Sequence, residues 1–282
     1  MAAVLPREIC KDNPDRIEGM QPAALFPDDS QPKPDPRLPE MHRLLLAHYG
    51  APPPREPWDP LTQFIYSLLS SRTRTEEAHR VMRDLRRQYA SWEELRDAPL
   101  GEMERAIGAV TFAEVKAPRL KAALQQITAR YGSLTLDFLA KYRTEKIREW
   151  LQGFEGVGPQ ISAAVVNFST LRRRALCVDA NHLRVTQRLA LTPRADAGTT
   201  ELRLMRIIPA QWDAAMLDEH HSLVKLHAQT LCTFAEPRCG ECPLREMCPH
   251  GKRVLGSTHQ SALFEAVEQV ADILIDLDAA GG

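Results

Sequence analysis

Nowhere in its 282 residues does the chain carry an apolar run long enough to span a bilayer, and its opening M-A-A-V-L-P-R-E-I-C-K-D holds no apolar stretch of secretion-signal length. No membrane role is expected, and a reducing, cytoplasmic compartment is. Strand-like alternation punctuated by hairpin turns is scarce, which argues against a β-rich fold. Also missing is a surplus of positive charge. The formal net charge is -1, far from the strongly basic balance that favours non-specific nucleic-acid binding. Its distribution offsets part of this: between Lys141 and Arg206 lie Arg172, Arg173, Arg174, Arg184 and Arg188, while the acidic ends lower the total. A run such as Arg172 to Arg174 is ordinarily a solvated face, so charge alone assigns no partner.

Helical periodicity is what the chain does have. With 44% hydrophobic residues it can bury a sizeable core or two intertwined lobes. Apolar residues recur at helical spacing from Leu61 to Leu69, from Val81 to Leu85, and at Leu120, Leu124 and Ile127. An all-α fold is expected. Residues 1–36 hold seven prolines without helical periodicity, which reads as an extended or flexible arm. Residues 254–282 form an acidic, amphipathic extension in which Phe264, Val267, Val270, Ile273 and Leu274 share one helical face. A helix packed on the protein's own surface explains that face as well as partner docking does.

Two patterns carry chemistry. The first is L-Q-G-F-E-G-V-G-P-Q-I-S-A-A-V-V-N-F from Leu151, followed after a basic stretch by V-D-A-N-H ending at His182. Gly156 and Gly158 let the turn around Val157 approach a ligand closely, and Pro159 suits the first position of a new helix. Such a helix start offers free N–H groups and partial positive charge to a phosphate, although a helical turn inside a core would have the same sequence. The second pattern is Cys232, Cys239, Cys242 and Cys248, spaced C-x6-C-x2-C-x5-C. Thiols gathered this tightly point to a metal centre, for which structural zinc and an iron-sulfur cluster both suffice. The remaining Cys10 and Cys177 read as ordinary thiols, Cys177 buried beside Val178.

Together, the hairpin, the V-D-x-x-H segment and the cysteine spacing resemble the endonuclease III branch of the helix-hairpin-helix DNA glycosylases, from about Leu38 to Arg253. L-L-S-S-R-T-R-T (Leu68 to Thr75) and H-H-S-L-V-K-L-H (His220 to His227) extend the match. The resemblance implies a six-helix barrel lobe over residues 59–175, with a second lobe built from both chain ends, residues 37–58 and 176–253. It further implies a 4Fe-4S cluster on the four cysteines and an active-site cleft between the lobes. Damaged duplex DNA is the implied partner of a monomer set in the bacterial nucleoid. The loop T-F-A-E-P-R after Cys232 has only Arg238 as a basic residue, a weak match to relatives whose corresponding loop touches the DNA backbone.

Residue roles follow by position. Gly156, Val157, Gly158 and Gln160 would grip DNA through the hairpin. Arg72 occupies the position whose side chain fills the gap left by an extruded nucleotide, unless it simply pairs with a surface acid such as Glu76. A second, apolar wedge would come from Phe112 to Val115. Asp179 would stabilise the oxocarbenium-like charge that develops when an N-glycosidic bond breaks and would activate a water. The segment is equally a good helix start with Asp179 or Asn181 as N-cap, and the two roles are compatible. His182 is expected to stabilise local structure, with proton transfer as the alternative role. Gln160 is the departure: relatives that also cut the strand place a Lys there, and an amide has no nucleophilic lone pair of that kind. Neither Lys146 nor Lys225 occupies the matching position.

The expected activity is a monofunctional DNA glycosylase of base excision repair that leaves an abasic site for a separate AP endonuclease. A relative that binds lesions without excising them, and a zinc-stapled structural module, are the alternatives from other classes.

Overall fold

A computed structural model describes residues 33–256. The Pro-rich arm as far as Pro32, Cys10 and the apolar face from Phe264 to Leu274 lie outside the described residues. The chain divides into two units, Met1–Lys33 and Pro34–Gly282, and of the first only Lys33 is described.

The second unit is all-α. Its helices are α1 (Arg37–Tyr49), α2 (Pro60–Ser70), α3 (Thr75–Gln88), α4 (Trp92–Asp97), α5 (Leu100–Ala106), α6 (Ala113–Tyr131), α7 (Thr144–Gln152), α8 (Pro159–Phe168), α9 (Ala180–Arg188), α10 (Ala197–Ile207) and α11 (Ala214–Thr230). Short 3-10 turns follow at Asp137–Lys141, Cys239–Glu241 and Arg245–Met247. Among the described residues β structure amounts to an isolated bridge between Trp58 and Ser169. No described helix is long and apolar enough to cross a membrane.

Local sequence explains many of the boundaries. Asp59, Asp179, Asp196 and Asp213 each cap a helix, accepting a hydrogen bond from the amide three residues on, at Thr62, His182, Thr199 and Met216. A side-chain oxygen there satisfies one of the orphan donors of the first turn. Gly132 ends α6 in the left-handed conformation (φ 74°), its N–H bonded to the Thr128 carbonyl at 2.8 Å.

Two hydrophobic clusters organise this unit. The first gathers α2 to α8 around α2, which is buried along almost its whole length and packs on the equally buried α8. Seven α-helices contribute where six were expected, because Pro99 lacks an N–H and divides the segment after Tyr89 into α4 and α5. The second cluster combines Leu38, Met41 and Leu45 of α1 with Val185 and Leu189 around α9, Leu204 of α10, and Leu217, Leu223 and Val224 of α11. Adjacent residues split between the two, Cys177 facing the first and Leu176 and Val178 the second. The strand-like linker from α8 to α9 therefore runs along the seam, and it delivers Asp179 to the start of α9.

Candidate active site

The α7–α8 hairpin is built around Gly156, whose φ of 82° lies in the left-handed region. A Cβ there would meet Arg119 Cδ at 3.0 Å. Val157 turns inward and is buried in the first cluster, and its N–H bonds the Phe154 carbonyl at 3.1 Å. Pro159 occupies the first turn of α8 behind Gly158, with no side chain capping the helix. The arrangement leaves first-turn amides of α8 open to an anionic ligand. Gln160 sits in that turn, half-buried, and its side-chain amide makes no hydrogen bond with a described residue. Its carbonyl accepts the Cys177 thiol at 3.7 Å, tying α8 to the seam linker two residues before Asp179.

Asp179 accepts the His182 amide at 2.8 Å. Burial pushes its carboxyl up, but His221, that amide and the Lys225 ammonium outweigh burial and hold it below the usual carboxylate range. His221 and His182 are themselves pushed down by burial, His182 to about 3. Held below its ordinary value, the Asp179 carboxyl is ionised at pH 7. The His221 ring bonds the Cys177 carbonyl through Nδ1 at 2.8 Å, which requires Nδ1 to carry the proton. Beyond His221 opens a cleft of about 630 Å³ between the α2–α3 region and α11, lined among others by Tyr66, Thr75, His79, Asp218, His221 and Lys225. Arg55 and Arg172 converge on Asp218 across it at 3.0 and 2.9 Å. Neither Asp179 nor Gln160 lines the cleft itself; His221 and Lys225 are the link.

A second group of predicted residues lies on the loops before α3 and α6. Arg72 is exposed, with φ 56°, and its guanidinium makes neither a hydrogen bond nor an ion pair with a described residue, so the expected alternative partner Glu76 is not used. In the adjoining loop Phe112 has φ 61° and is 50% exposed. Left-handed backbone at a non-glycine residue costs on the order of 1–3 kcal/mol and recurs where a side chain must be presented. Of the stretch Phe112 to Val115, Phe112 is the most exposed apolar side chain, with Val115 exposed to 38%. Lys116, on the otherwise apolar inner face of α6, went unnoticed in the sequence; its ammonium bonds the Leu69 and Ser71 carbonyls at 2.7 Å each.

The basic run serves structure. Arg172 pairs with Asp218, Arg173 bonds the Ala140 carbonyl, and Arg174 bonds the Trp212 and Pro209 carbonyls. Arg184 and Arg188 bond carbonyls at Ala228, Cys232, Thr233 and Phe234. Lys146 pairs with Glu149 on the surface. Cys177 is buried and its thiol is pushed far up by burial, so it is inert.

The four C-terminal cysteines correct the cofactor expectation. Cys232, Cys239, Cys242 and Cys248 border one small cavity of about 20 Å³. Yet among the described residues no group of three or more His, Cys, Asp or Glu side chains is placed to hold a metal ion. A 4Fe-4S cluster on these residues, and a lobe defined by it, therefore do not stand. The physical reason lies in the placement of the sulfurs, three of which are engaged in hydrogen bonds of their own. Cys242 and Cys248 accept the Leu244 and Gly251 amides at 3.4 and 3.3 Å, Cys232 accepts Arg188, and Cys248 bonds the Arg188 carbonyl at 3.5 Å. The spacing builds a hydrogen-bonded end to the second hydrophobic cluster.

The helical hairpin with its uncapped α8 start is followed along the chain by Asp179 at the cap of α9. Residues 65–210 match the profile described as HhH-GPD superfamily base excision DNA repair protein, and the chain belongs to that superfamily. Rice Protein ROS1A is 25% identical over 207 residues, covering 68% of this chain and 10% of the relative. Endonuclease III of Haemophilus influenzae is 28% identical over 120 residues, covering 42% of this chain and 54% of the relative. A non-covalent endonuclease III–DNA complex has the same fold, with a TM-score of 0.66 at 21% identity, covering 78% of this chain and 97% of that one. The fold and relatives match DNA N-glycosylase enzymes of that superfamily. The chain spans about a tenth of rice ROS1A and about half of the Haemophilus influenzae enzyme. Because similar proteins come from plants as well as bacteria, they do not single out the bacterial setting expected from the sequence.

Proposed function

We propose that the protein is a monofunctional DNA glycosylase of base excision repair, hydrolysing the N-glycosidic bond of a damaged or mismatched base in duplex DNA. The observation that carries this reading is the ionised Asp179 carboxylate at the seam beside the hairpin, with Gln160 where an amine would be needed to cut the strand. The open amides of α8 hold a backbone phosphate and set register without reading sequence. Extruding the nucleotide costs a few kcal/mol of stacking and pairing. Arg72 and Phe112 offset that cost by occupying the gap, one donating to the widowed base and the other stacking beside it.

As the bond from C1′ to the base nitrogen breaks, its electron pair leaves with the base, which takes a proton from solvent. Asp179 stabilises the positive charge left on the sugar. Water adds to C1′, and its proton passes through the Asp179 carboxylate to solvent. The Gln160 amide is free to orient that water or to bond the extruded base. With no amine at this position no Schiff base forms through it, and the abasic site passes intact to a separate endonuclease.

Asp179→Asn tests the proposal. Base release under single-turnover conditions should fall at least about a hundredfold, the order lost with one transition-state electrostatic partner, while duplex affinity changes little. An Asn variant that still excises at the wild-type rate removes Asp179 from the chemistry.

A further inference from the structure

We infer that Lys116 is a positioning residue that fastens the Arg72 and Phe112 loops into one unit for entry into the duplex. This rests on the reading above that those loops fill the gap.

The ammonium of Lys116 has three donors, and all three are used: on the Leu69 carbonyl at 2.7 Å, the Ser71 carbonyl at 2.7 Å and the Thr73 hydroxyl at 3.0 Å. Two of these acceptors belong to the C-terminal end of α2, where unsatisfied carbonyls concentrate negative potential and a cation is favoured. The third lies immediately after Arg72. Thr73 is the second half of the fastening, because its hydroxyl oxygen also accepts the Thr111 amide at 3.2 Å. Ser71 and Thr73 flank Arg72, and Thr111 precedes Phe112. Each exposed, left-handed residue is therefore held by bonds to its chain neighbours that meet at Lys116 and Thr73.

A lysine only 9% exposed on a helix face otherwise occupied by Ala113, Ala117, Leu120 and Leu124 contributes no packing that a methionine could not supply. What it alone supplies is the shared bond centre. Free loops would lose the fixed presentation of both side chains at once, and the gap would be filled by either one without the other.

The test needs no lesion chemistry. The full chain is titrated with a duplex carrying a tetrahydrofuran abasic analogue opposite 2-aminopurine, whose fluorescence reports what enters beside the widowed base. Wild-type protein should change the fluorescence on binding, and Lys116→Met should bind the same duplex within about threefold while losing at least four-fifths of that change. Thr73→Val, which keeps Lys116 on the two carbonyls but cuts the link to Thr111, should lose most of it as well. It decides the matter alone if Lys116→Met fails to fold. Lys116→Arg, still able to reach the carbonyls, should recover part of the signal; a purely packing role predicts better recovery by Met than by Arg. A wild-type signal that survives in the folded variants overturns the inference and leaves the glycosylase reading intact. No signal from wild type means that the loops do not enter the gap, which overturns both the inference and the wedge roles, while excision is judged separately by Asp179→Asn.

Discussion

Acid should destabilise this fold through one buried histidine more than through its surface. His182 is 1% exposed, both of its ring nitrogens lack a partner among the described residues, and burial pushes it down from 6.5 to about 3. Folded protein therefore keeps the ring neutral while unfolded chain protonates it, so stability present above pH 6.5 is lost progressively as the pH falls toward 3. At pH 4.5, two units below the ordinary value, the loss from His182 comes to about 3 kcal/mol. His220 and His221 are also lowered by burial and add in the same direction, as does protonation of Asp179 at still lower pH. Against a typical stability of about 5–15 kcal/mol, that is a large share. Urea unfolding of wild type and His182→Leu at pH 7.5 and 4.5 isolates the contribution. The difference between the two pH values should be smaller by about 2–3 kcal/mol in the variant. Equal differences in the two proteins would refute the claim that His182 is buried neutral.

Gly156→Ala places a Cβ 3.0 Å from Arg119 Cδ on backbone at φ 82°, and should cost about 1–2 kcal/mol in urea unfolding and weaken duplex affinity at least fivefold. Arg148→Met strands the buried Glu201 carboxylate, now bonded at 2.7 Å, and should cost about 3–5 kcal/mol by the same measurement. Gln160→Lys restores an amine at the hairpin, and borohydride should then trap a covalent adduct with an abasic duplex that wild type does not form.

The helices were legible where one physical demand dominated the sequence. Leu61 to Leu69 and Leu120, Leu124 and Ile127 report a buried face directly, and α2 and α6 lie there. Of the two hairpin glycines, Gly158 is extended with φ -104°, whereas Gly156 takes the left-handed backbone that glycine favours. Arg72 and Phe112 share that conformation without any such marker, since their strain is imposed by the loops around them. Lys116 did leave a signal, a cation in register with Ala113, Leu120 and Leu124, but its meaning depended on carbonyls some 45 residues away in sequence. Arg172 to Arg174 looked like surface charge because their partners, Asp218 and distant carbonyls, are invisible to local reading. Cysteine spacing misled for a related reason. It records proximity along the chain, whereas ligation depends on where the sulfurs sit in space, and among the described residues no three ligating side chains are placed together.

Strand integrity after base release bears most directly on the central claim that Asp179 drives hydrolysis without an amine at Gln160. Duplexes carrying oxidised, deaminated, alkylated and mismatched bases are incubated with the protein, and the strands are resolved before and after alkali. At least one substrate should release its base and break only after alkali treatment. Breakage at neutral pH, with a borohydride-trapped adduct, would contradict the assignment of Gln160 and turn attention to Lys225, the amine that lines the cleft. Tight binding without base release from any duplex would contradict catalysis itself.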